Sequence, residues 1–294
     1  MRVVIAGGSG FLGQALQRHL RQSRHTTTVL SRRPRTSNDV AWTPDGTTGS
    51  WVAALEGADA VVNLSGEGIA DARWSAPRKA ALRNSRLLST RSIVTALGGL
   101  ATPPTLLNAS GVGYYGDRGL ELVTEETPAG HDFLANLCVE WEAEAERAAA
   151  FTRVILLRNG VVMHPSGGAL KKMLLPFRVG AGGPLGSGAQ YLPWIHLDDW
   201  EEMVAWLIQQ PAARGAFNVT APSPASNADF TRALGRAVNR PAFIPVPAFA
   251  LRVALGELAD TLLTGQKAVP ARATAAGFAF RFAGIEPALR DLLP

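Results

Sequence analysis

A single cysteine, Cys138, stands in a chain of 294 residues. No disulfide can form within the chain, and a reducing, cytoplasmic setting is expected. Charge is sparse too: Asp, Glu, Lys and Arg make up 18% of the residues, too few for a highly charged disordered chain. No block of about five like charges and no nucleic-acid-reading motif occurs, so a nucleic-acid partner is not expected. No apolar run approaches the roughly 18 residues of a membrane-crossing helix, and no membrane partner is expected either. The opening Met1-Arg2-Val3-Val4-Ile5-Ala6 is too short for a secretory leader and reads as a buried first strand. Internal repeats and low-complexity tracts are missing.

Apolar residues, at 47%, suffice for a large core, and the 30 Gly and 19 Pro are spread along the chain as α/β loops require. The net charge of +5 fits a basic surface with a phosphate-bearing ligand. Short apolar runs at Arg2–Ala6, Thr27–Ser31, Asp59–Leu64, Thr105–Ala109 and Arg153–Arg158 read as strands covered on both faces. Helical patterns fall between them: Phe11–Gln22 with Leu12, Leu16 and Leu20 on one stripe, then Arg78–Leu97 and Phe133–Ala150. This alternation predicts a Rossmann-type doubly wound parallel α/β sheet. Residues 1–160, with about 189–220, form the dinucleotide-binding domain in this reading. Residues 161–188 and 221–294 form a smaller C-terminal α+β substrate lobe. There Asp198–Gln209 reads as a helix opened by Asp198 or Asp199, Phe217–Thr220 as a strand, and Ala228–Val238 as a helix capped by Asn227.

The strongest local signal is Gly7-Gly8-Ser9-Gly10-Phe11-Leu12-Gly13, directly after the first strand and opening the first helix. Gly7 permits the tight turn, Gly10 lets backbone approach a pyrophosphate, and Gly13 lets helix and strand pack closely. Free N–H groups and the helix dipole then face phosphate. The second strand ends in Ser31-Arg32-Arg33, where an NAD binder usually carries an acid for the ribose 2′-hydroxyl. A hydroxyl and two guanidiniums suit a 2′-phosphate instead, so NADP(H) is the expected cofactor.

Further motifs follow in order: Asn63-Leu64-Ser65-Gly66-Glu67, Arg73-Trp74, Ser85-Arg86, Asn108-Ala109-Ser110-Gly111-Val112-Gly113-Tyr114-Tyr115-Gly116, Leu157-Arg158-Asn159-Gly160, Gly183-Pro184-Leu185-Gly186-Ser187-Gly188, Trp194-Ile195-His196-Leu197-Asp198-Asp199, Pro245-Val246-Pro247 and Gly277-Phe278. Together they resemble the extended and atypical short-chain dehydrogenase/reductases of the NAD-dependent epimerase/dehydratase superfamily. The match is to a sugar-nucleotide-epimerase-like subgroup with a C-terminal domain of unknown function. The resemblance implies that Gly7, Ser9, Gly10, Phe11 and Leu12 contact the pyrophosphate and that Ser31, Arg32 and Arg33 hold the 2′-phosphate. Leu64, Ser65 and Gly66 would line the adenosine side, with Arg86 also among the cofactor residues, and Ala109 and Ser110 would sit by the nicotinamide.

The superfamily's Tyr-x-x-x-Lys is absent: the helix at 133 places Leu134 and Cys138 at those positions. Two readings stay open. In one, an oxidoreductase or epimerase acts on a small polar or sugar-nucleotide-like substrate, with Ser110 orienting the reacting oxygen. Tyr115 is then the acid, its pKa depressed by a cation such as Arg86, and Glu67 is another proton carrier. In the other, the protein is a non-catalytic NADPH-binding sensor, regulator or scaffold. Gln190 and Trp194 are placed at the substrate pocket, His196 as a loop tie, Cys138 in packing, Lys171-Lys172 on a solvated turn and Glu125-Glu126 in a loop. The stripe Phe249, Leu251, Val253, Leu255 and Leu258 reads as core or interface. His196 with Asp198 does not extend into a ligand set, so no metal is expected. The expected state is monomer or homodimer.

Overall fold

The computed structural model describes residues 1–293. Seven strands form one sheet: β1 Arg2–Ala6, β2 Thr26–Ser31, β3 Asp39–Ala41, β4 Ala60–Asn63, β5 Thr105–Gly111, β6 Val154–Asn159 and β7 Gly215–Val219. Their order is β7-β6-β5-β4-β1-β2-β3, and every neighbouring pair is parallel. The chain winds outward from β1 through β2 and β3, then returns to β4 on the other side of β1. That reversal opens a crevice at the carboxyl ends of β1 and β4, where open α/β sheets take ligands.

Successive side chains of a strand point to opposite faces, and here both faces are covered. Val3, Ile5, Val62, Leu107 and Ile155 pack with Leu16 and Leu20 of α1 (Phe11–Gln22) and with residues of the later helix Leu197–Gln209, among them Trp200 and Met203. Val4, Ala6, Leu30, Val61, Leu106 and Leu156 pack on the other face against Ile93 and Leu97 of α2 (Ala76–Gly98) and Ala145 of α3 (Phe133–Glu146). A separate core joins Leu170 and Leu174 of α4 (Gly168–Arg178), Trp194, Phe230 and Leu234 of the helix Asn227–Ala237, and Leu289. Calling Leu197–Gln209 α5, Asn227–Ala237 α6 and Ala248–Leu255 α7 completes the helices used below. Among the described residues no helix is long and apolar enough to cross a membrane.

Several local expectations change. The α5 helix begins at Leu197, and its cap is His196, whose Nδ1 accepts from the Asp198 backbone N–H at 3.0 Å. Asp198 and Asp199 fall inside its first turn. The α6 cap is Ser226, whose hydroxyl accepts from the Asp229 N–H at 3.1 Å, while Asn227 Oδ1 accepts from the Leu185 N–H. Trp194 is sealed in the second core with its indole N–H on the Ser223 carbonyl, and the Gln190 amide is spent on the Leu185 and Leu262 carbonyls. Neither is free to line a substrate pocket. Of the 249–258 stripe, Leu258 is buried, whereas Phe249 and Val253 lie about three-quarters exposed on α7. The short β3 escaped sequence reading because three residues, only half-buried or exposed, carry no periodic signal.

Candidate functional site

The turn after β1 is shaped by close backbone approach. Gly7 has φ +78°, and a Cβ there would lie 2.8 Å from the Leu64 carbonyl carbon and oxygen. A Cβ on Gly13 would lie 2.5 Å from the Gly8 Cα, so helix and turn meet with no room for a side chain. Gly10 precedes α1, and no side chain caps the first helical N–H groups. These donors and the helix dipole face an opening suited to an anion.

That opening is a cleft of about 640 Å³. Gly7, Ser9 and Gly10 line it together with Leu64, Ser65, Gly66 and Glu67 of the loop after β4, whose backbone abuts the turn at Gly7, and Leu30, Trp42 and Pro44 add apolar surface. Arg78, Ala81, Ser85 and Leu88 of α2 close the far wall. An adjoining basin of about 540 Å³ is lined by Ser9, Ser31, Arg32, Arg33 and Arg35. The Ser31 hydroxyl accepts from the Arg33 N–H at 3.1 Å, turning the chain so that the arginines follow directly on the strand end. The basin carries three guanidiniums and no carboxylate among its lining residues.

Other expected cofactor residues stand apart from the cleft lining. The Phe11 ring packs against Gly167 and Gly168 of the C-terminal half, and Leu12 joins the core below the sheet. Ala109 is buried with Leu87 and Trp141. Arg86 is buried behind Gly66: its Nη1 and Nη2 donate to the Leu82 and Glu67 carbonyls, each at 3.0 Å, and it lies over Trp141. Burial lowers its pKa from the usual guanidinium value.

Ser110 lies inside β5, not beyond it. Its hydroxyl donates to Glu142 Oε1 at 2.6 Å, and Arg158 grips the same carboxylate from Nε at 2.9 Å and Nη2 at 2.8 Å. Arg158 Nη1 donates to the Tyr115 hydroxyl at 3.0 Å, and Tyr115 donates to Asn218 Oδ1 at 2.6 Å. The Asn218 N–H is held by the buried Glu125. The guanidinium also covers the Tyr114 ring at 3.5 Å. All five members of this chain, Ser110, Glu142, Arg158, Tyr115 and Asn218, are buried.

Tyr115 is at odds with the expected role of proton donor. It has no solvent exposure, and burial pushes its pKa up to about 12 against the opposing pull of Arg158. The cation beside it is Arg158, not Arg86. Leu134 and Cys138 supply nothing in place of the missing Tyr and Lys. Cys138 is buried, and burial together with nearby Glu142 pushes its thiol to about 11, so it stays a neutral packing group.

Sequence reasoning assigned no site role to Trp42, Arg35, Arg78, Glu142 or Arg158, although Arg158 stands in one of the motifs that carry the resemblance. Two signals were available. Arg158 ends an otherwise apolar buried strand, which demands a buried counter-ion. Arg35 extends the Arg32-Arg33 pair by one short step.

Fold and cleft together define a dinucleotide-binding α/β protein. The NAD dependent epimerase/dehydratase family model matches residues 3–220, and a domain of unknown function matches residues 246–292. The chain belongs to the NAD dependent epimerase/dehydratase family. It is 45% identical over 291 residues to the epimerase family protein Mb2239 of Mycobacterium bovis, covering 98% of this chain and 96% of that one. The crystal structure of the human epimerase family protein SDR39U1 with NADPH superposes with a TM-score of 0.93 at 37% identity, over 100% of this chain and 99% of that one. A nucleoside-diphosphate sugar epimerase from Corynebacterium glutamicum matches with a TM-score of 0.83 at 30% identity, over 100% of this chain and 58% of that one.

Proposed function

We propose that this chain is an NADP(H)-binding protein that seats the cofactor diphosphate over the Gly7–Gly13 turn and its 2′-phosphate in the Ser31–Arg35 basin. The observation that carries the reading is the basin itself, with three guanidiniums and no carboxylate at the end of β2. Guanidinium forks match phosphate oxygens, and an acid in this place would repel them. Leu30, Trp42 and Pro44 offer an apolar slot for adenine. The human relative solved with NADPH supports the same choice. Calorimetric titration with NADPH and NADH tests it: NADPH should bind at least about tenfold tighter, and equal affinities would refute the basin's role.

The nicotinamide would supply hydride chemistry, and the family suggests an oxidoreductase or epimerase acting on a small polar or sugar-nucleotide-like substrate. The residues favour a second reading, cofactor binding without the superfamily's phenol-driven turnover. The only hydrogen of the Ser110 hydroxyl is committed to Glu142, Tyr115 is sealed, Leu134 has no titratable group, and the buried Cys138 thiol keeps its proton and carries no charge. Glu67 is the carboxylate nearest the role, lining the cleft in an ion pair with Arg78. Following absorbance at the reduced-nicotinamide band against carbonyl and sugar-nucleotide panels separates the two. Turnover with any substrate overturns the sensor reading.

A further inference from the structure

Two guanidiniums line the 640 Å³ cleft, Arg32 and Arg78. Arg32 stands at the end shared with the arginine basin. Arg78 stands in the first turn of α2, on the same face as Ala81, Ser85 and Leu88. Its Nη1 pairs with Glu67 and its Nη2 donates to the Gly68 carbonyl at 2.6 Å, but its Nε is buried without a partner. The Ser65 hydroxyl, on the loop leaving β4, is also buried without a partner. Buried donors left unmet are uncommon and costly, and two among the residues lining one cleft ask for a ligand.

The Gly7–Gly10 turn, which the Ser65 backbone abuts, offers backbone N–H groups and no cationic side chain. A dinucleotide diphosphate brings two negative charges to that turn, and Glu67 would repel them unless Arg78 balanced it. We propose that Arg78 and Ser65 form the second half of the diphosphate site beside the glycine turn, Ser65 from the loop that abuts Gly7 and Arg78 from the first turn of α2, with Glu67 holding the guanidinium in place until the ligand arrives. This rests on the NADP(H) reading above. The wall is well anchored for the task. Lys172 of α4 binds Asp71, the Arg73 guanidinium donates to the Val253 carbonyl of α7 at 2.7 Å, and Lys79 binds Glu257. The loop that carries Ser65 and Glu67 therefore leads directly into ties with the C-terminal half.

The test uses the full chain and two probes: NADPH, which has the diphosphate, and adenosine 2′-monophosphate, which has the 2′-phosphate without it. Arg78→Met should weaken NADPH by about tenfold or more and change adenosine 2′-monophosphate by less than about twofold. Arg78→Lys, which keeps charge but loses the fork, should fall between wild type and Arg78→Met. Glu67→Gln should tighten NADPH about two- to fivefold, because it removes a competing anion. Thermal midpoints of the variants report folding separately. Equal losses on both probes would make Arg78 merely structural and overturn the proposal, as would NADPH affinity in Arg78→Met within twofold of wild type. Equal wild-type affinity for NADPH and NADH would instead sink the 2′-phosphate basin, and the Arg78→Met contrast on either coenzyme would still decide the diphosphate contact.

Discussion

Glu142 Oε1 receives both the Ser110 hydroxyl, at 2.6 Å, and the Arg158 Nε, at 2.9 Å, so one oxygen ties β5 and β6 to α3. With its hydrogen spent, Ser110 can offer only lone pairs to a neighbour. It is therefore built to accept from a hydroxyl, amide or ammonium, and not to polarise a carbonyl.

Glu142→Gln should destabilise the fold. It leaves Arg158 buried without its counter-charge, a change that costs about 3 kcal/mol or more and lowers the thermal midpoint by roughly 6–12 °C. Ser110→Ala should cost far less. A Glu142→Gln melting curve that overlays wild type would show that the pair contributes no net stability.

Arg32→Ala combined with Arg33→Ala should weaken NADPH much more than NADH. Each charge-assisted phosphate contact is worth about 1.5–3 kcal/mol, so the preference should shrink by at least about tenfold. Equal losses for both coenzymes, read by titration, would remove these arginines from the 2′-phosphate site.

Gly13→Ala should damage cofactor binding from beneath. The added methyl would sit 2.5 Å from the Gly8 Cα and 2.6 Å from the Gly7 carbonyl oxygen, so turn and helix must separate at a cost of about 1–3 kcal/mol. NADPH affinity should fall at least about tenfold with far-ultraviolet dichroism preserved. Unchanged affinity would mean that the close approach does not shape the phosphate site.

Stability should fall as pH rises through neutrality because of Glu201. Burial, reinforced by Asp198 and opposed by Arg18, lifts its carboxyl from 4.5 to about 7 in the folded chain. His19 of α1 stands 3.7 Å away, with Glu202 on the ring's other nitrogen. A raised folded pKa means that the folded state holds the proton more tightly than the unfolded one. Its stabilising contribution is fully present below about pH 4.5 and is lost as pH climbs through about 7. Glu201→Gln should therefore melt several degrees above wild type at pH 8, the gap closing toward pH 4.5. Parallel melting curves across that range would refute the assignment.

The parallel sheet was legible because strands buried on both faces read as unbroken apolar runs, and α1 matched residue for residue because its stripe is regular. The glycine turn after β1 was legible because its glycines are dictated by backbone contact. The network around Ser110 was not, since Glu142, Arg158 and Asn218 meet only through the β5-β6-β7 pairing and the packing of α3 on those strands. The α6 cap was misassigned by one residue because Ser226 and Asn227 are both good caps, and a tertiary bond from Leu185 decided between them. Trp42 was hidden because it follows a strand of only three residues.

That tryptophan gives the protein a built-in optical gauge. Trp42 lines the cleft and meets Trp51 edge-on at 5.4 Å between ring centres, so a purine seated as proposed against Leu30 and Pro44 would enter its immediate surroundings. Occupancy should register as quenched indole emission without any attached dye, and reduced coenzyme, whose absorption overlaps that emission, should then glow by energy transfer.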